Sequence, residues 1–134
     1  MNPDPVAQAS SLRVIAGPCI PAGPGSWRTS WTLSGAAAPL DLLEAWLPHD
    51  HFQGPRQRFD PPLAFDPGSR LELQRTVACQ DPPGSVIENA FLILRVRSGQ
   101  RHWRVFTRLT IRVAVDGVPQ QTCEAVTFQK VDGT

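Results

Sequence analysis

Two groupings in this 134-residue chain have the residue types for chemistry. The first is Leu47-Pro48-His49-Asp50-His51-Phe52. On an extended segment residues i and i+2 point the same way, so His49 and His51 can both offer imidazole to one ion while Asp50 turns away. A zinc or iron site needs at least a third ligand. His102, Asp60, Cys79 and Cys123 are the candidates, none at a diagnostic spacing. Against the metal stands a solvated loop, in which Pro48 ends the preceding strand and Phe52 tucks back. The loop is the reading the residues favour, with no cofactor expected.

The second grouping is a stripe of arginines. Arg104, Arg108 and Arg112 recur every fourth residue around Phe106, with Arg95 and Arg97 on the preceding strand and Arg101 and His102 at the turn between. On a strand this spacing puts the three side chains on one face, roughly 13 Å apart. Such a face serves as a solvated sheet surface, as a protein interface, or as a track for a phosphate backbone. Glu72, Glu88 and Glu124 are available to neutralise it across strands. A net charge of +1 lacks the basic excess of nucleic-acid binders, which places that use last.

Other chemistry finds less support. Trp27, Trp31, Trp46 and Trp103 read as core, with a sugar-stacking platform as the alternative; tyrosine, which such platforms also use, is absent. Trp46 shares a face with Glu44 and is expected to be the most exposed of them. There is no G-x-S-x-G, P-loop, glycine-rich dinucleotide turn or H-E-x-x-H. A cupin pattern fails as well. Gly54-Pro55 stand where its glutamate belongs, and no histidine follows Pro82-Pro83-Gly84. Cys79 and Cys123 fall in strand patterns, where a buried, inert thiol is the default. A catalytic set assembled from distant positions stays open.

The elements that must position these residues are strands. Fourteen Pro and ten Gly punctuate the chain between apolar runs. "SLRVIAG" reads as a first strand with Leu12 and Ile15 toward the core, and "GPCIPAGPG" as a turn-dense connection. "SWRTSWTLS" alternates, with Trp27, Thr29, Trp31 and Leu33 on one face. "LDLLEAWL" (40–47) has both helical and alternating spacing, and its shortness between prolines makes it a strand with Leu43, Ala45 and Leu47 inward. "PRQRFDPPLAFDPGS" carries too many prolines for a central strand and belongs at an edge. "RLELQRTVAC" puts Leu71, Leu73 and Val77 on one face. Strands over 89–97 and 101–115 flank Ser98-Gly99-Gln100 as a hairpin, the second long enough to require a bend or bulge. A last strand over 122–131 sets Cys123, Ala125 and Thr127 opposite Glu124, Val126 and Phe128.

Composition agrees with one soluble domain: residues 1–9 loose, 10–134 a single unit. Charge is uneven: residues 1–67 hold four Arg against six acids, and 68–134 hold eight Arg and Lys130 against six. Three cysteines without C-x-x-C argue for a reducing cytoplasm rather than a disulfide framework. No run of apolar residues is long enough to span a membrane. "MNPDPVAQASSL" has neither the basic nor the apolar part of a secretory signal.

The expected architecture is all-β, an antiparallel β-sandwich of about seven to nine strands. The order "WTLSG", "PLDLLEAWLP", "PPLAFDPGSRLELQ" and then paired strands resembles bacterial immunoglobulin-like sandwich domains over residues 25–131. The Cys…Trp…Cys pattern of antibody domains is not matched. The resemblance implies a scaffold for binding rather than catalysis. The functional expectation is a non-enzymatic module that binds a protein, or a second copy of itself, through Arg104, Phe106, Arg108 and Arg112, extended by Arg95 and Arg97. A metal protein built on His49 and His51 is the first alternative, and a weak nucleic-acid binder the second.

Overall fold

The alternation that begins at Arg101 becomes the backbone of the larger of two sheets. In the computed structural model, which describes residues 12–131, nine antiparallel strands form and no helix does. None of the described residues therefore forms a helix able to cross a membrane. In chain order the strands are β1 (Arg13–Ala16), β2 (Ile20–Gly23), β3 (Ser26–Ser34), β4 (Leu40–Leu47), β5 (Gly54–Phe65), β6 (Leu71–Ala78), β7 (Val86–Ser98), β8 (Arg101–Val113) and β9 (Pro119–Lys130). In one sheet β3 lies in the middle, with β1 and β2 following one another along one edge and β6 on the other. The other sheet runs β5-β4-β7-β8-β9. The chain is an all-β sandwich, and residues 1–9 lie outside the described region.

Period-two burial builds the core. Trp103, Val105, Leu109, Ile111 and Val113 of β8 and Ala90, Leu92, Leu94 and Val96 of β7 face inward. Trp31, Leu33, Leu73 and Val77 close over them from the first sheet. A fully buried aliphatic or aromatic side chain contributes about 1.5–3 kcal/mol over its exposed state, so this layer carries the fold. Gly99 takes φ 61° in the turn between β7 and β8, a conformation glycine adopts without steric cost.

The strand pattern differs from expectation in five places. Ile15 is 63% exposed while Leu12 and Val14 are buried, because a strand face repeats every second residue and Leu12 cannot share one with Ile15. The turn-dense segment after it contains a short strand, β2. In β4 the inward residues are Leu40, Leu42, Ala45 and Leu47, since Leu43 is an extra residue at a bulge. The irregularities expected within β8 fall on its neighbours: in β7 Glu88 and Asn89 stand against the single Thr110, and in β9 Glu124 is an additional residue. The bulge at Glu124 also reverses the faces of β9, so that Cys123, Val126 and Phe128 pack toward the core and Thr127 is exposed.

Two side chains make polar links between the sheets. Arg75, on β6, donates to the carbonyls of Ala45 and Pro55 across the open side of the sandwich. Burial lowers the Arg75 pKa from its ordinary value. On the opposite side Gln121 of β9 reaches Thr29 and Gly17.

Candidate protein-binding face and the histidine loop

Pairing in the larger sheet sets its outward residues into rows. Trp46, Ile93, Phe106 and Thr127 stand directly opposite one another across β4, β7, β8 and β9. The adjacent row is Glu44, Arg95, Arg104 and Gln129. On the other side Phe91 and Arg108 are opposed, followed by Ala125. The face is therefore an apolar row framed by arginines. Phe91 and Phe106 meet edge to face with centroids 6.3 Å apart, and the Arg56 guanidinium lies 4.3 Å from the Trp46 ring centroid. Both contacts fix the rings in place at little cost in further ordering.

The charges on this face divide in two. Arg97 Nη2 lies 2.9 Å from Asp41 Oδ2, and Arg58 Nε lies 3.2 Å from Glu44 Oε1. Arg104, Arg108 and Arg112 are exposed and form no ion pair among the described residues. The expected neutralisation by Glu72, Glu88 and Glu124 does not occur. Glu72 lies on β6 in the other sheet, where it accepts from Gln74, and Glu88 and Glu124 sit at bulges. Sequence reasoning overlooked Asp41 and Glu44, whose places opposite Arg97 and Arg95 follow only from the β4–β7 register.

Glu44 is the least expected feature. The extra residue Leu43 turns it from the inward to the outward face, where it is nonetheless only 4% exposed. Strand β5 is the reason. Between Arg58, opposite Glu44, and Leu63, opposite Leu42, Phe59-Asp60-Pro61-Pro62 stand against the single Leu43, so β5 bows out over the face. The Asp60–Pro61 bond in this bow is cis. Beneath it lies a recess of about 260 Å³ whose lining includes Leu43, Glu44, Phe59, Arg95 and His102.

His49 and His51 belong to the turn between β4 and β5, remote in sequence and element from His102 on β8. Their rings are 5.7 Å apart and inclined by 59°. Each already has a partner: His49 Nδ1 accepts from the His51 backbone N–H at 3.0 Å, and His51 Nδ1 lies 2.9 Å from Asp81 Oδ1. The Asp81 hydrogen bond, reinforced by its charge, raises the His51 pKa above the ordinary histidine value. Among the described residues no three His, Cys, Asp or Glu side chains stand together as an ion's ligands would. Phe52 is fully buried, as the loop reading anticipated.

The three thiols, Cys19, Cys79 and Cys123, are free, and burial pushes the pKa of each upward. A raised pKa removes thiolate, the nucleophilic form. Of the tryptophans, Trp31 and Trp103 are buried, whereas Trp27 and Trp46 are half-buried. Trp27 lies in the sheet opposite Trp46, so the aromatics form no single stacking platform. No family model matches the sequence, and no curated protein or solved structure is found similar to it.

Proposed function

We propose that this chain is a non-enzymatic interaction module, of the immunoglobulin-like kind its sequence resembles, that binds a protein through the outward face of β4, β7 and β8. One observation carries the reading: the apolar row Trp46–Ile93–Phe106 lies in register between Arg104 and Arg108, neither of which has an acidic partner among the described residues. A half-buried aromatic centre with arginines around it matches the composition of interface hot spots. Unpaired guanidinium groups with rigid forks suit carboxylates on the partner. A second copy of the chain fits less well, since an isologous contact would set these arginines near their own equivalents. Three free thiols support a reducing compartment such as the cytoplasm.

The test is affinity purification from the native cell with the wild-type chain and with Arg104→Glu/Arg108→Glu. A stoichiometric partner released by the double charge reversal supports the reading. A partner set unchanged by it overturns the reading. Binding to nucleic acid instead would show affinity falling steeply with salt.

A further inference from the structure

Strand β6 carries a cationic side chain that no acid balances. Arg75 uses two of its N–H donors on the Ala45 and Pro55 carbonyls and forms no ion pair among the described residues. Burial lowers its pKa, the mark of a charge drawn out of water without a counter-charge. The residue lines a cleft of about 780 Å³ between β6 and the start of β5. Arg28 of β3 lines the same cleft, is exposed, and has no ion pair among the described residues either. None of the described residues lining the cleft is acidic.

Backbone donors face the cleft as well. The Cys79 N–H donates to the Gly25 carbonyl beside β3, whereas Ala78 exchanges both of its bonds with Gln53 on the other side. Antiparallel pairing alternates in this way residue by residue, so Thr76 and Gln74 turn their N–H groups from β3 toward the cleft. The chain does not follow them. Pro55, two residues past Gln53, has no N–H to give, and from Gly54 onward β5 pairs with β4.

Two guanidinium groups without a carboxylate call for an anion, and the remaining donors narrow its kind. The hydroxyls of Ser26 and Thr76 and the amide of Gln53 belong to the lining. Arginines, hydroxyls and backbone N–H groups together are the donors that phosphate oxygens take in protein–nucleic acid contacts. A phosphoryl group carries up to about two negative charges and several acceptor oxygens, enough for both arginines and their neighbours. Glu72, the next outward residue along β6, lies outside the lining and accepts from Gln74. About 780 Å³ falls within the roughly 300–1,000 Å³ of small-molecule sites and exceeds what a bare phosphate fills. No aromatic side chain lines the cleft, so a nucleobase has no ring to stack on.

We propose that this cleft binds the phosphoryl group of a small phosphomonoester without an aromatic ring. Arg28 and Arg75 supply the charge, the Thr76 N–H and the hydroxyls of Ser26 and Thr76 supply further donors, and the body of the ester lies against Pro55 and Ala78. The cleft borders the smaller sheet, away from the arginine-framed face of the larger one, and stands independently of the protein-binding reading.

Glycerol 3-phosphate is the probe, titrated at fixed ionic strength and followed by NMR at the Thr76 and Gln74 amides and the Arg75 Nε–H. A saturable shift is expected with a Kd on the order of 1 mM, given so few ligand atoms. Acetate should bind about tenfold or more weakly, since it brings a single charge, and inorganic phosphate should bind more weakly than the ester. Arg28→Gln removes an exposed side chain without an ion pair in the fold and should weaken the probe about tenfold, the loss of one charge-assisted bond. Arg104→Glu/Arg108→Glu should leave the probe bound as in the wild-type chain. No saturable shift in the wild-type chain overturns the inference. Acetate binding as well as the probe overturns the phosphoryl group, and inorganic phosphate binding as well overturns the ester. Unweakened binding in Arg28→Gln, or loss of binding in the charge-reversal variant, overturns the cleft as the site.

Discussion

The indole Nε1 of Trp31 donates to Oε1 of Gln121 at 2.8 Å, joining the middle strand of one sheet to the edge strand of the other across 90 positions of sequence. The Gln121 amide nitrogen meanwhile lies 2.7 Å from Thr29 Oγ1 and 3.2 Å from the Gly17 carbonyl. One amide, carried by an edge strand of one sheet, thus satisfies three groups on the other. Gln121→Ala removes this link and leaves the Trp31 N–H, in a residue with no exposed surface, without its acceptor. The expected loss is about 2–3 kcal/mol of unfolding free energy in guanidinium titration. In a double-mutant cycle with Trp31→Phe, a coupling of about 1 kcal/mol is expected, because each substitution removes the same bond.

Thr107 presents the reverse case. Its hydroxyl is fully buried on β8 and has no hydrogen-bond partner among the described residues. Valine replaces the hydroxyl with a methyl group of similar shape and ends the desolvation penalty. Thr107→Val should raise stability by about 0.5–1 kcal/mol, read from the same titration. A loss of stability would show that the hydroxyl has a partner.

Arg75 guards an edge. Strand β6 ends its sheet, and an inward-pointing charge on an edge strand discourages pairing with other chains. Arg75→Met keeps the aliphatic stem but forfeits the bonds to Ala45 and Pro55. It is expected to cost about 1–2 kcal/mol and to raise light scattering on concentration. Stability and scattering both at wild-type levels would deny the arginine this role.

The His51–Asp81 pair gives a pH signature. A histidine whose folded pKa is raised contributes stability that is fully present below its unfolded pKa, ordinarily about 6.5, and is lost as pH rises through the folded value. The ring is largely exposed, so the effect on stability is small and the titration itself is the measurement. In Asp81→Asn the His51 midpoint, followed by NMR, should move down. An unchanged midpoint would mean that the pair does not persist in solution.

The strands that could be read from the sequence are those with strict alternation. From Trp103 to Val113 every second residue except Thr107 is apolar, and that spacing alone assigns inside and outside and places the arginines together on the outer face, while Ser98-Gly99-Gln100 implies a hairpin with 89–97. The prolines of 55–62 likewise put β5 at an edge, because proline cannot donate to a ladder on both sides. At Leu43 in β4 and at Ala125 and Thr127 in β9 a bulge shifts the face by one residue, whereas Ile15 simply cannot share a face with Leu12 three positions away. A bulge leaves no mark in hydrophobic periodicity unless the residues after it are clearly apolar or clearly polar.

Sequence by itself determined the class of fold, the strand that carries the arginines and the face they occupy, because these depend on local alternation and turn chemistry. Only the tertiary structure decided which charges are met. Asp41 pairs with Arg97 across 56 positions, while Arg104 and Arg108 find no acid among the described residues. The recess that unites Glu44, Arg95 and His102 arises from a mismatch between the lengths of β4 and β5 as they pair. Register between strands distant in sequence is set by the packing of both sheets at once, and no single segment contains it.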